Sequence, residues 1–133
     1  MTAPGTSPVV LVADDDPDIL ALGRFRLERE GYDVVSASDG QTALELALDR
    51  APDVAVLDVM MPRLDGYELT RRLREHEHTK GMPIILLTAR VGESDVQHGL
   101  EMGADDYVTK PFSPQVLRER VRAALGARPE GRR

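Results

Sequence analysis

The run Val9-Val10-Leu11-Val12-Ala13 is apolar at five consecutive positions, rich in β-branched side chains, and ends on Asp14-Asp15-Asp16. A strand with one face in water alternates apolar and polar residues. A continuous run of this length instead reads as a strand buried on both faces, the habit of a parallel sheet sandwiched between helices. Val54-Ala55-Val56-Leu57 and Ile84-Ile85-Leu86-Leu87 repeat the pattern, each bounded by Pro, Gly or Asp. Two weaker strands are expected at Tyr32 to Ser36 and Asp106 to Thr109.

Helical segments fill the intervals. Asp18 to Glu30 carries Ile19, Leu22, Gly23 and Leu27 on one face, with Gly31 as its C-cap. Ser38 opens an S-x-x-Q capping box with Gln41, leading a helix through Ala43, Leu44, Ala47 and Leu48 that stops before Pro52. Gly66 to Glu75 follows, with Tyr67, Leu69 and Leu73 apolar. Ser94 and Gln97 repeat the capping box ahead of a short helix through Met102, stopped by Gly103. Ser113-Pro114 supplies an N-cap and a proline at N1 for a last helix lined by Val116, Leu117, Val121, Ala124 and Leu125. The order is βα five times over, which implies a parallel sheet with helices on both faces and right-handed crossovers.

Composition agrees with one such unit. The chain has 133 residues, 17 Lys+Arg against 23 Asp+Glu, a formal charge of -6 and no cysteine. The length suffices for one well-buried core. The cysteine count excludes disulfides, a thiol nucleophile and Cys-ligated metal sites. An acidic balance disfavours direct nucleic-acid binding, which needs a basic footprint. The longest apolar runs are about six residues, against the ~20 needed to span a bilayer. Met1 to Pro8 has no apolar h-region. The expectation is a cytoplasmic single domain over residues 9–125, preceded by a flexible N-terminus over 1–8 and followed by a tail or the start of a linker over 126–133.

Open α/β sheets bind ligands beyond the carboxyl ends of their strands, where strand order reverses. Those ends carry Asp14 and Asp15, then Asp58, then Thr88-Ala89, then Lys110. Acidic residues ahead of a helix can be there for its dipole, but Asp16 and Asp18 can fill that role, leaving Asp14 and Asp15 over. Asp58 ends an entirely apolar strand, where an unpaired charge is costly. Only Lys80 and Lys110 are lysines among the 17 basic residues, so Lys110 beside Pro111 reads as a compact point charge, although chance accounts for it as well. Three converging carboxylates repel, and one lysine offsets one of them. A hard divalent cation offsets the rest, and Mg²⁺ takes a few carboxylates together with phosphate oxygens. Such a site is suited to in-line attack on phosphorus by an Asp. His76, Glu77 and His78 read as a solvated loop, since no further ligand or supporting shell accompanies them. No G-x-x-x-x-G-K motif is present.

The runs Val10 to Pro17, Pro52 to Gly66 (with Leu57-Asp58-Val59-Met60-Met61-Pro62) and Gly103 to Phe112 (with Val108-Thr109-Lys110-Pro111), together with Leu86-Leu87-Thr88-Ala89, resemble the response-regulator receiver domain of two-component signalling. The resemblance covers about residues 8 to 125. It implies a flavodoxin-like, doubly wound (βα)5 three-layer sandwich with a five-stranded parallel sheet.

By that resemblance Asp58 is the phosphoacceptor, receiving phosphate from the phosphohistidine of a sensor histidine kinase or phosphotransfer protein. Asp15 and Asp58 bind Mg²⁺ (or Mn²⁺) by side chain, the Met60 backbone carbonyl is a third ligand, and Asp14 acts through a metal-bound water. Lys110 pairs with Asp58 and then with the phosphoryl group, with a cis peptide to Pro111. Thr88 bonds a phosphoryl oxygen, Tyr107 turns inward behind it, and the small Ala89 leaves the site accessible. Met60 and Arg90 stand two residues beyond Asp58 and Thr88, beside the path of hydrolytic water, and influence the lifetime of the aspartyl phosphate. Phosphorylation switches a partner-binding surface of this domain through Thr88 and Tyr107, and the partner is a downstream effector or the C-terminal output domain of a DNA-binding regulator. A homodimer would use the fourth helix, fifth strand and fifth helix. Asp106 and Arg120 fit that surface, whereas Val116 and His98 depart from it.

Two other readings compete. An aspartyl-phosphate Mg²⁺ phosphatase needs a second Asp near its nucleophile and a substrate cap. Met60 stands in the place of that Asp, and 133 residues leave no room for the cap. A flavin carrier wants a phosphate loop and stacking aromatics, whereas this chain has no Trp, two Phe and three Tyr. The chain is therefore read as a signalling module whose only chemistry is on its own Asp58, not as an enzyme in the usual sense.

Overall fold

The computed structural model describes residues 7–89 and 92–126. Their order is β1 (Val9–Ala13), α1 (Pro17–Arg29), β2 (Asp33–Ala37), α2 (Gly40–Arg50), β3 (Val54–Asp58), α3 (Gly66–Glu75), β4 (Ile84–Thr88), α4 (Glu93–Met102), β5 (Asp106–Thr109) and α5 (Pro114–Gly126). The strands form one parallel sheet in the order β2-β1-β3-β4-β5. The last residue of α5, Gly126, falls within the stretch read as tail.

The continuous apolar runs do bury both faces. Leu11, Ala13, Ala55, Leu57, Ile84 and Leu86 point to one side, against Ala43, Leu44, Leu69 and Leu73 of α2 and α3. Their neighbours Val10, Val12, Val54, Val56, Ile85 and Leu87 point to the other, against Leu27 of α1 and Leu117 and Val121 of α5. Most of these side chains are fully removed from water, and each large one contributes about 1.5–3 kcal/mol of transfer free energy. Two-sided burial makes the strand register unambiguous, and so the position of every residue at the strand ends.

Three local expectations are corrected. Helix α2 is capped by Asp39, not Ser38: its carboxylate accepts from Thr42 N at 2.8 Å and from Thr42 Oγ1 at 3.0 Å. A carboxylate meets the helix amides better than a neutral hydroxyl, so the start moves by one residue. Helix α4 starts at Glu93 behind Gly92, with no side-chain cap. Ser94 therefore lies inside the first turn, and Gln97 donates to Glu101. In α1 the inner stripe is Leu20, Gly23 and Leu27, while Leu22 is exposed. Leu22 is one residue, and so about 100° of helix rotation, away from Gly23. The cap of α1 by Asp16 and the Ser113 Oγ acceptor for Val116 N at α5 agree with expectation, while α1 starts at Pro17, one residue before the expected Asp18.

Arg74 ties three segments together on the side of the sheet that faces α3. Its guanidinium donates to the carbonyls of Gly103, Lys80 and Met82 and to the Asp105 carboxylate. Asp105 in turn accepts from Ile84 N at 2.8 Å, the first residue of β4. Arg74→Ala is expected to cost about 2–3 kcal/mol in urea unfolding, because several acceptors lose a charged donor at once. Arg74→Lys should recover less than half of that, since an ammonium cannot reproduce the planar fork. Full recovery by lysine would show that the charge, not the fork, matters.

Candidate functional site

The order of the sheet reverses between β1 and β3, and the crevice at that point lies at the strands' carboxyl ends. Asp58 closes β3, Asp14 and Asp15 follow β1, Thr88 closes β4 and Lys110 follows β5. Four strands thus deliver these side chains to one edge, although up to 96 positions separate them in sequence. Carboxylate oxygens of Asp14, Asp15 and Asp58 lie within 4.8 Å of one another, the single grouping of three ligating side chains among the described residues. Asp14, Asp58 and Thr88 are buried, and Asp15 is exposed.

The backbone explains the aim of Asp58. Val59 N donates to Leu87 O at 3.0 Å, carrying the β3–β4 ladder one residue past the strand, and Gly66 N returns to Val59 O at 2.9 Å. Between these points Val59, Met61 and Leu64 are buried, which leaves the side chain of Met60 on the outside. A side chain at Gly66 would bring its Cβ within 2.5 Å of Asp58 O, and one at Gly40 would meet Leu64 O at 1.8 Å. Both helices need a glycine start so that the loop behind Asp58 can close. Lys110 N donates to Thr88 O at 2.8 Å, and the Lys110–Pro111 peptide is cis.

Electrostatically the site is overloaded with negative charge. Lys110 Nζ stands 2.8 Å from Asp14 Oδ2 and 3.2 Å from Asp58 Oδ1, so its shorter ion pair is with Asp14 and not with Asp58. Asp14 Oδ1 accepts from Asp16 N at 2.9 Å. Its Oδ2 is buried and meets the ammonium as a charge pair. Burial, and then the Asp14 charge, push the Asp58 carboxyl up to about 6 against the opposing pull of Lys110. Burial works against the Lys110 ammonium as well, but Asp14 and then Asp58 outweigh it and hold its pKa above the ordinary lysine value. A buried carboxylate oxygen with spare acceptor capacity, beside two more carboxylates and one cation, is a donor set that fits a hard divalent ion.

Other residues lie around this centre. Ala89 is exposed just past Thr88. Arg90 lies outside the described residues. Tyr107 is half-buried and pairs in register with Leu86, two residues back from the Thr88–Thr109 pair. Its hydroxyl lies 3.4 Å from the Tyr67 hydroxyl. From sequence Tyr67 reads as an apolar helix position, and its hydroxyl is the feature that signals these polar contacts. His76 caps α3 and Glu77 pairs with Lys80 at 2.9 Å, which accords with a solvated loop.

A doubly wound five-stranded α/β fold with an acidic, lysine-bearing crevice at its switch point defines a class of domain. The response regulator receiver domain model matches residues 10–122, and the chain belongs to that family. It is 51% identical over 116 residues to the alkaline phosphatase synthesis transcriptional regulatory protein PhoP of Bacillus subtilis (strain 168), covering 87% of this chain and 48% of that protein. Among solved structures, a putative response regulator from Chloroflexus aurantiacus J-10-fl superposes with a TM-score of 0.85 at 39% identity, covering 90% of this chain and 98% of that one. The receiver domain of the sensor histidine kinase PA1611 from Pseudomonas aeruginosa PAO1, with a magnesium ion coordinated in its active site cleft, gives a TM-score of 0.84 at 31% identity, covering 91% and 99%. The chain spans about half the length of the curated relatives it matches. It is thus a receiver domain of a two-component system. Among the described residues no helix is long and apolar enough to cross a membrane.

Proposed function

We propose that this domain takes a phosphoryl group onto Asp58 from the phosphohistidine of a sensor histidine kinase or phosphotransfer protein, and that the acyl phosphate switches a partner-binding surface. The observation that carries the reading is the meeting of the Asp14, Asp15 and Asp58 carboxylates within 4.8 Å, with the Lys110 ammonium 3.2 Å from Asp58 Oδ1. An Asp58 oxygen attacks phosphorus as the bond from phosphorus to the imidazole nitrogen breaks, its electron pair returning to the imidazole. A pKa near 6 leaves Asp58 mostly ionised at pH 7 and more basic than an ordinary aspartate. The Lys110 ammonium offsets charge on the transferred phosphoryl oxygens, and the Thr88 hydroxyl donates to one of them.

Asp15 and Asp58 would hold Mg²⁺ (or Mn²⁺) by side chain, the Met60 carbonyl by backbone, and Asp14 through a water. The bound ion would neutralise the crevice and align the phosphoryl oxygens. The magnesium in the cleft of the Pseudomonas relative supports this assignment. Ala89 keeps the entrance open, and Met60 and Arg90 flank it, where their size and polarity influence hydrolysis of the acyl phosphate. The domain acts once per phosphorylation on itself and turns over no separate substrate.

The curated relatives are about twice as long and are named as transcriptional regulators, PhoP and the probable regulator ycf27 of Guillardia theta. They support a second element of the proposal: residues 9–125 are the receiver half of a DNA-binding regulator, with no nucleic-acid contact in this half. Arg120 and Asp106 pair within the chain at 2.7 Å. A homodimer through α4, β5 and α5 would have to re-use that pair between subunits.

Intact mass after incubation with Mg²⁺ and acetyl phosphate tests the central claim. The wild type is expected to gain one phosphoryl group and Asp58→Asn none. No gain in the wild type, or an equal gain in the variant, would overturn it.

A further inference from the structure

The Tyr107 ring sits in a pocket made by three elements. Gly99 of α4 faces it: a Cβ there would lie 3.2 Å from Tyr107 Cδ2 and Cε2 and 3.1 Å from Leu86 Cδ1. Leu86 of β4 forms the floor, paired in register with Tyr107. Tyr67 of α3 closes the pocket. Its hydroxyl lies 3.4 Å from the Tyr107 hydroxyl and 3.4 Å from the carbonyl of Asp95 in α4. Tyr67 is itself braced, with its ring edge-to-face with His98 of α4 at a centroid distance of 4.5 Å and an interplanar angle of 73°.

A half-buried tyrosine keeps its hydroxyl hydrogen-bonded or forfeits the burial. Tyr67 has the geometry to relay such bonds: its O–H donates to Asp95 O while its oxygen accepts from Tyr107. The relay is available only while Tyr107 occupies the pocket and while the start of α4, which carries Asp95, holds its place.

We propose that Tyr67 is a positioning residue for Tyr107: its hydroxyl latches Tyr107 in the inward position and ties that position to α4, which brings α3 into the switch. The inference rests on the phosphoacceptor reading for its consequence, but not for the latch itself. A latch that favours one of two positions shifts their ratio by its own differential free energy. One hydrogen bond changes that ratio roughly two- to tenfold.

The test uses the protein carrying 3-fluorotyrosine, whose three tyrosines give assignable ¹⁹F signals. Broadening of the Tyr107 signal by a soluble nitroxide reports its exposure. Tyr67→Phe keeps the ring against His98 and removes only the hydroxyl, and it is expected to lower the inward-to-outward ratio of Tyr107 roughly two- to tenfold without added phosphodonor. Gly99→Ala should push Tyr107 outward by a separate route, crowding the pocket from α4. Unchanged Tyr107 exposure in a folded Tyr67→Phe protein overturns the latch. With acetyl phosphate, phosphoryl mass is followed in parallel. Normal uptake with a weakened Tyr107 response in Tyr67→Phe supports the coupling, whereas an equal response in variant and wild type overturns it. Absence of uptake in the wild type itself would strike the phosphoacceptor reading and leave the ¹⁹F result on the latch standing.

Discussion

Asp58→Asn is expected to raise the stability of the folded domain at pH 7 by about 1–3 kcal/mol while abolishing phosphoryl uptake. The site holds Asp58 near 6, about two units above its ordinary value of 3.8. Between those values the folded chain binds more protons than the unfolded one, so stability falls as pH rises from about 4 to 6 and stays low above that. Asparagine has nearly the same shape and no charge to repel Asp14. Its advantage should be full at pH 7 and fade below pH 4, where the wild-type carboxyl is protonated in both states. Urea unfolding at pH 4, 5, 6 and 7 measures this directly. A variant less stable than wild type at pH 7 would mean that the Lys110 pairing outweighs the repulsion. Added Mg²⁺ should narrow the gap by stabilising only the wild type, through binding to the folded state alone.

Lys110→Met is expected to have the opposite sign and comparable size. Among the described residues Lys110 is the one cation paired with both Asp14 and Asp58, and removing it leaves two carboxylates in a buried crevice. Breaking such a pair costs about 3–5 kcal/mol when the remaining charge is trapped. Here Asp58 can escape by taking up a proton, so about 2–4 kcal/mol is expected at pH 7, shrinking as the pH falls below 6. The Lys110→Met/Asp58→Asn double variant should regain most of the loss. This cycle separates charge from packing: a loss that is equal at pH 5 and pH 8, or that the second substitution does not relieve, would assign Lys110 a packing role. The pairing's own stabilisation disappears only as the pH climbs past the ordinary lysine value of 10.5, because the ammonium's pKa is raised in the fold.

Strands that bury both faces announce themselves as unbroken apolar runs, so β1 was legible residue for residue from Val9 to Ala13, and β3 and β4 to within one residue. The parallel sheet and its two helix layers followed from the βα alternation, the doubly wound topology from the resemblance to receiver domains, and the crevice from the polar residues that end those runs. Helix starts were less legible. Ser38, Asp39 and Ser94 each offer a side-chain acceptor within a residue or two of a helix start. Which one is used depends on where the preceding loop delivers the chain: Gly40 is pressed against Leu64 O, which places Asp39 at the cap.

The sequence by itself determined that Asp14, Asp15, Asp58, Thr88 and Lys110 share one edge of a parallel sheet, because each stands just past or at the end of a buried strand. The residue types there also set the excess of negative charge. Only the tertiary structure decided how that charge is distributed. Lys110 lies nearer to Asp14 than to Asp58, Asp14 and Asp58 are buried while Asp15 faces water, and the Asp58 carboxyl is pushed up to about 6. The pairing of Tyr67 with Tyr107 across 40 positions belongs to the same class. Strand ends are local features that sequence pattern can carry. Distances of 3 Å between side chains from different strands and helices depend on how the layers pack, and no local pattern encodes them.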